Sequence, residues 1–140
     1  MIVDSSALIA LLRDEPEASH FARALAVLGE DKRISAANWL EAAVVIDAAR
    51  DPIASRRFDE FVARAGLIVE PVTPEQARRA REAYRDFGKG SGHKAGLNFG
   101  DCFAYALASE RGEPLLFKGD DFAATDIAAW PGPSRPATRP

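Results

Sequence analysis

The chain opens on three apolar residues, Met1-Ile-Val3, closed at once by Asp4. Ser5 and Ser6 follow, then an unbroken apolar stretch from Ala7 to Leu12. A short apolar run, a capping side chain and a longer apolar segment predict a buried strand that feeds a helix. Pro16 restarts a helix with Phe21, Leu25 and Leu28 at helical spacing, stopped at Gly29. Residues 33–36 predict a short second strand, and residues 38–50 a helix with Leu40, Val44, Val45 and Ile46 apolar. Pro52 opens another helix, with Ile53, Phe58, Phe61 and Val62 on one side, ending at Gly66. The run Leu67-Ile-Val-Glu-Pro-Val72 is the clearest strand by its β-branched content. Thr73 and Pro74 supply an N-cap and a first helical position for a helix to about Phe87. A glycine-rich loop over 88–98 separates it from a helix over 100–111, closed by Gly112. Residues 114–118 predict the fourth strand.

Strands alternating with helices predict an α/β sandwich around a short, mostly parallel sheet. Residues 1–130 read as one domain, and residues 131–140, with four prolines, as a disordered tail. The chain of 140 residues is long enough to bury one core. No apolar run approaches the roughly 20 residues of a membrane span. A signal peptide is not expected, since the opening segment lacks a basic region and would have to carry Asp4. The lone Cys102 excludes an intrachain disulfide, fits a reducing cytoplasm, and sits in a helical apolar pattern as a small buried residue.

Four acidic positions fall at the ends of apolar segments: Asp4, Glu41, Asp101 and the Asp120/Asp121 pair. Where strands end and helices begin, carboxylates are badly placed for a core and well placed at the carboxyl edge of a parallel sheet. Each acid alone has a plain structural role open to it. Asp4 and Asp101 can cap helices, Glu41 can be an exposed first-turn residue, and Asp120 and Asp121 can form a turn with Gly119. The residues flanking Glu41 (Trp39, Leu40, Ala42 and Ala43) read as buried, which speaks against the exposed alternative. Two carboxylates about 4 Å apart repel by roughly 4 kcal/mol at an effective dielectric near 20, so such a cluster calls for a cation. Mg²⁺ or Mn²⁺ suits carboxylate and water oxygens, lowers the pKa of a water and stabilises charge on a phosphoryl oxygen. The two histidines, His20 and His93, share no zinc-ligand spacing with each other or with Cys102. Ser6 either caps a helix or orients Asp4.

These motifs, taken in order, resemble the PIN-domain ribonucleases, and more narrowly the VapC toxins of bacterial VapBC toxin–antitoxin modules. The similarity is carried by Ile-Val-Asp4-Ser-Ser6, by Glu41 on an alanine-rich helix, by Leu97-Asn-Phe-Gly-Asp101-Cys-Phe-Ala-Tyr, and by Leu115-Leu-Phe-Lys-Gly-Asp120-Asp121-Phe122. It extends to about Trp130 and implies a PIN-like three-layer sandwich with a four- to five-stranded sheet. It further implies a cytoplasmic endonuclease for single-stranded RNA that uses Mg²⁺ or Mn²⁺. On that basis Asp4 and Asp101 are the metal ligands, and Glu41 completes the catalytic set, directly or through water. The commonest pattern has an Asp two residues before the final Asp-Phe pair, where this chain has Gly119. Asp120 is taken as the fourth acid, with Asp121 and Asp126 as alternatives. A cognate VapB-like antitoxin lying over the acidic groove, and a homodimer, are also implied.

The formal net charge of −3 argues against a broad basic RNA-binding surface but leaves room for a local one. Arg78, Arg81 and Arg85 share one helix face, and Lys89, His93 and Lys94 follow in the loop; they are either phosphate contacts or a solvated face. The segment Gly88-Lys-Gly-Ser-Gly-His-Lys94 imitates a P-loop but fails its spacing and follows a helix rather than a strand. It is read instead as an RNA-contacting loop or an inert connection. Two rival functions remain. A haloacid-dehalogenase-like phosphatase would use Asp4 as nucleophile, but its general acid would fall on Ser6. A non-catalytic module receiving a basic peptide leaves the gathering of four distant acids without a purpose.

Overall fold

The computed structural model describes residues 1–130; the proline-rich segment read as a disordered tail lies outside them. The elements in order are β1 (Ile2–Val3), α1 (Ser5–Leu12), α2 (Ala18–Leu25), β2 (Lys32–Ser35), α3 (Ala36–Asp47) and α4 (Pro52–Ala65). Then come β3 (Leu67–Glu70), α5 (Pro74–Phe87), α6 (Phe99–Arg111), β4 (Leu115–Leu116) and a tight helical turn, Asp121–Ala124.

The four strands form an all-parallel sheet in the order β3-β2-β1-β4. Beyond β4, Leu115 makes a single parallel bridge to Ala129, so the expected fifth strand is reduced to one residue pair. Side chains alternate across the pleat. Val3, Ile34 and Leu116 enter a core with Leu8, Phe21, Ala43 and Phe58 from α1–α4. Ile2 and Leu115 face the other way, into a core with Leu97, Leu107, Ala83 and Phe122. Ile2, Val3, Leu115 and Leu116 are all fully buried, as strands covered by helices on both faces must be. The result is the three-layer α/β sandwich, with six helices flanking the sheet.

Local chemistry sets most boundaries. Asp51 caps α4 by accepting from Ile53 N, with Pro52 at the first position and Gly66 in the left-handed region at its end. Thr73 caps α5 through a 3.1 Å bond from Gln76 N. Four expectations fail in instructive ways. Helix α2 ends at Leu25, because the chain must turn back to enter β2, and Leu28 is left 92% exposed. Leu40 is 55% exposed rather than buried, since the inner face of α3 is taken by Asn38, Ala42, Ala43 and Ile46. Strand β3 stops at Glu70, ahead of Pro71, which has no N–H for the ladder. Ile53 stands outside the α4 core face, 62% exposed.

The topology positions the site. From β1 the chain moves outward to β2 and β3 through helices on one face. It then returns along the other face through α5 and α6 to β4, on the opposite side of β1. The crevice where the strand order reverses, at the carboxyl ends of β1 and β4, is where open parallel sheets bind ligands.

Candidate active site

Asp4 lies one residue past β1, in that crevice. It caps α1, its Oδ2 accepting from Ser6 N at 3.0 Å. Its other oxygen, Oδ1, is buried and has no hydrogen-bond partner, and the residue is only 3% exposed. Burial pushes its carboxyl up to about 7; hydrogen bonding from Ser6 opposes this, and the charges of Asp101 and Glu41 add to it. The Ser6 hydroxyl accepts from Lys118 N at 2.9 Å, which fastens the start of α1 to the segment leaving β4.

Asp101 reaches the same crevice from the first turn of α6. Asn98 and Asp101 form a reciprocal capping box, with Asp101 Oδ2 accepting from Asn98 N at 3.0 Å and Asn98 Oδ1 from Asp101 N at 2.9 Å. Burial raises the Asp101 carboxyl to about 6 against the bond from Asn98, with Asp121 and Glu41 adding repulsion. Its neighbour Cys102 is buried, donates its thiol to Asn98 O, and is held up at about 11 first by burial. It is the inert packing residue the sequence suggested.

Glu41, on α3, is held by two donors. Ser5 Oγ gives a 2.7 Å bond to Oε1, and Asn38 Nδ2 a longer one of 3.3 Å to the same atom. Across from it, a Cβ on Gly100 would stand 2.7 Å from Glu41 Oε2. A larger residue there would push the carboxylate aside. A groove of about 410 Å³ opens beside it, lined among others by Leu40, Glu41, Val44, Phe99 and Phe103.

The three candidate fourth acids, Asp120, Asp121 and Asp126, stand in different surroundings. Gly119, at φ +96, turns the chain out of β4, and Asp120 then precedes the tight turn without making a cap bond. The charge of Asp121 adds to the upward push of burial on the Asp101 carboxyl. Asp126 is occupied elsewhere, accepting from Tyr105 Oη at 2.6 Å.

Among the described residues, no three Asp, Glu, His or Cys side chains stand close enough to enclose a metal by themselves. The donor set nevertheless fits Mg²⁺, which keeps several waters and binds through one or two carboxylates. The orphaned Oδ1 of Asp4, beside a second carboxyl raised by burial, is what a divalent cation would satisfy. Asp4 and Asp101 are the residues that would hold it.

The basic residues are less concentrated on a target than their spacing suggested. Arg78 pairs with Glu75 at 3.5 Å and Arg85 with Asp86 at 3.2 Å. His93 packs edge-on against Phe87 and accepts from Ala95 N through Nδ1, so it stitches its own loop. Gly90, Gly92 and Gly96 all have positive φ, so the glycines of this loop serve its turns rather than a phosphate cradle. Sequence reasoning missed Asn38, Ser5 and Gly100, the three residues that fix Glu41.

The PIN domain family model matches residues 1–128. Over 127 residues the chain is 58% identical to ribonuclease VapC28 of Mycobacterium tuberculosis, covering 91% of this chain and 95% of that protein. Among solved structures, the M. tuberculosis VapC20 toxin, described as cleaving the sarcin–ricin loop, superposes with a TM-score of 0.73 at 18% identity, covering 91% of this chain and 95% of that one. A toxin–antitoxin complex from Klebsiella pneumoniae gives a TM-score of 0.66 at 19% identity, over 89% and 92% of the two chains. At such identities the structural matches speak for the fold alone, while the family model and the sequence relative speak for descent. The phosphatase alternative fails, because the family match is to the PIN domain and the sequence relative is a ribonuclease. The chain belongs to the PIN-domain family and, within it, to the RNA-cleaving VapC ribonucleases.

Proposed function

We propose that this chain is the toxin of a toxin–antitoxin pair, a Mg²⁺- or Mn²⁺-dependent endoribonuclease that cuts single-stranded RNA in the cytoplasm. The observation that carries the metal dependence is the buried, unpartnered Oδ1 of Asp4 next to Asp101. Without a cation both carboxyls are driven toward their protonated forms by burial. With one, they are its ligands. The ion supplies Lewis acidity, drawing charge from a phosphoryl oxygen and acidifying water. Glu41, fixed through Oε1 by Ser5 and Asn38, would offer Oε2 to the ion, directly or through water, and accept the proton of the attacking water. Asp121 takes the fourth acidic position in preference to Asp120, through its charge acting on Asp101.

A VapB-like antitoxin is the expected partner, supported by the family and by the similarity to the K. pneumoniae toxin–antitoxin complex. The exposed apolar residues Leu40, Val44 and Phe99 beside Glu41 offer area for a protein contact, with the antitoxin or a second copy. No helix among the described residues is long and apolar enough to cross a membrane.

The test is cleavage of a single-stranded RNA by purified protein in excess EDTA, followed by addition of Mn²⁺ or Mg²⁺. Cleavage should stop in chelator and return with either ion. Activity that persists in chelator counts decisively against the metal reading.

A further inference from the structure

Asn38 sits in the first turn of α3 and is completely buried. Its Nδ2 donates to Gly100 O at 2.9 Å and to Glu41 Oε1 at 3.3 Å, so one amide ties α3 to the first turn of α6 and to the acidic site. The orientation of that amide is fixed by chemistry. Turned over, Oδ1 would face a carbonyl and a carboxylate, both acceptors. As placed, Oδ1 is buried without a partner, an arrangement that costs the fold stability. A residue chosen only to pack α3 against α6 has no need of that cost, since an apolar side chain of similar volume would avoid it.

Three elements converge on the Glu41 carboxylate. Helix α1 contributes the Ser5 hydroxyl at 2.7 Å, α3 contributes Asn38, and α6 contributes Gly100, whose missing Cβ leaves room 2.7 Å from Oε2. Both donors go to Oε1. Glu41 is otherwise a long side chain at an exposed position, free to sample several rotamers.

We propose that Asn38 is a positioning residue for this nuclease: it locks Oε1 of Glu41 against α6 so that Oε2 is held ready at the divalent-cation site. The proposal rests on the metal reading above. It requires that Asn38 influence cation binding through Glu41 and not by shaping the protein generally. Outer-shell partners of metal sites commonly change affinity by about 10–100-fold when removed.

The experiment is calorimetric titration of Mn²⁺ into the full chain and into N38A, E41A, N38A/E41A and G100A, with melting temperatures of the metal-free proteins measured alongside. N38A should weaken Mn²⁺ binding by about tenfold or more. In the E41A background the same substitution should change Mn²⁺ affinity no further, because the residue it positions is gone. G100A crowds the Glu41 carboxylate from α6 while keeping the carbonyl that accepts from Asn38, and alanine favours helix, so it should weaken Mn²⁺ binding with α6 intact. It carries the test if N38A does not fold. Wild-type affinity in N38A or G100A overturns the proposal, as does an N38A deficit that persists undiminished in E41A. A wild-type chain that binds no Mn²⁺ overturns the metal reading itself, and this proposal with it.

Discussion

The Tyr105 hydroxyl donates a 2.6 Å hydrogen bond to the Asp126 carboxylate, while the charge of Asp121 bears on Asp101. Three neighbouring acids in the last segment thus have three different surroundings. Asp121→Asn should lower RNA cleavage by about tenfold or more, as loss of a charged contact in a site does. Asp120→Asn should change it little. Asp126→Asn and Tyr105→Phe should each cost about 1 kcal/mol of stability, the worth of one partly exposed hydrogen bond, and leave cleavage near wild type. The ranking is read from cleavage rates and urea unfolding of the single variants. A larger activity loss in Asp120→Asn than in Asp121→Asn restores Asp120 as the fourth acid.

Asp4 both caps α1 and carries the orphaned oxygen, and the two roles separate by substitution. Asparagine caps a helix as well as aspartate does. Asp4→Asn should therefore keep the fold, be at least as stable without metal, and lose cleavage by about a hundredfold or more. Asp4→Ala should lose the cap as well, about 1 kcal/mol of stability. Circular dichroism melts and RNA cleavage on the same preparations check this. Wild-type cleavage by Asp4→Asn is the outcome that sinks the role of this residue.

The raised carboxyls give a pH signature. In the unfolded chain Asp4 and Asp101 titrate near 3.8, and in the fold near about 7 and about 6. Between those values the native protein holds more protons than the unfolded chain, so stability falls as pH rises through the window from about 4 to about 7. The metal-free protein should melt higher at pH 5 than at pH 8. Mn²⁺, which binds the deprotonated carboxylates, should stabilise most at pH 8, by about 2.7 kcal/mol at a hundredfold excess over its dissociation constant. Asp4→Asn should flatten the metal-free slope. A metal-free melting temperature that rises from pH 5 to pH 8 contradicts the assignment.

What was legible in the sequence follows from what is local. Asp4 after Ile2-Val3, and Asn98 and Asp101 at a helix start, are capping signals that act within three residues, and both acids could be placed from them. The helix ends at Gly66 and Gly112 were equally readable, because each needs a left-handed residue. The misses are tertiary. Leu28 and Leu40 fit their helical periods, but the turn into β2 and the crowding of α3 by Asn38, Ala42 and Ile46 leave both in solvent. The surroundings of Asp120 and Asp121, on which the proposed fourth acid rests, depend on how Gly119 swings the chain out of β4. Asn38 left no trace at all, since its partner Gly100 lies 62 residues further on and a lone amide in a helical first turn has no pattern of its own.

The basic face of α5 can now be reduced to one residue. Arg78 and Arg85 each have an acidic partner on their own helix, Glu75 and Asp86, which offsets their charge toward a phosphate. Among the described residues Arg81 makes no ion pair, and it lies with Tyr84, Phe99 and Phe103 along a groove of about 320 Å³. Arg81→Glu should therefore weaken RNA binding more than Arg78→Glu or Arg85→Glu. The loss should shrink with added salt, and the slope of log affinity against log salt should fall by about one, as expected when one phosphate contact is removed. Binding is best measured in the Asp101→Asn background, so that cleavage does not intervene. An affinity for RNA unchanged by Arg81→Glu across the salt series returns α5 to the role of a solvated helix, and moves the search for the RNA path to the apolar groove beside Glu41.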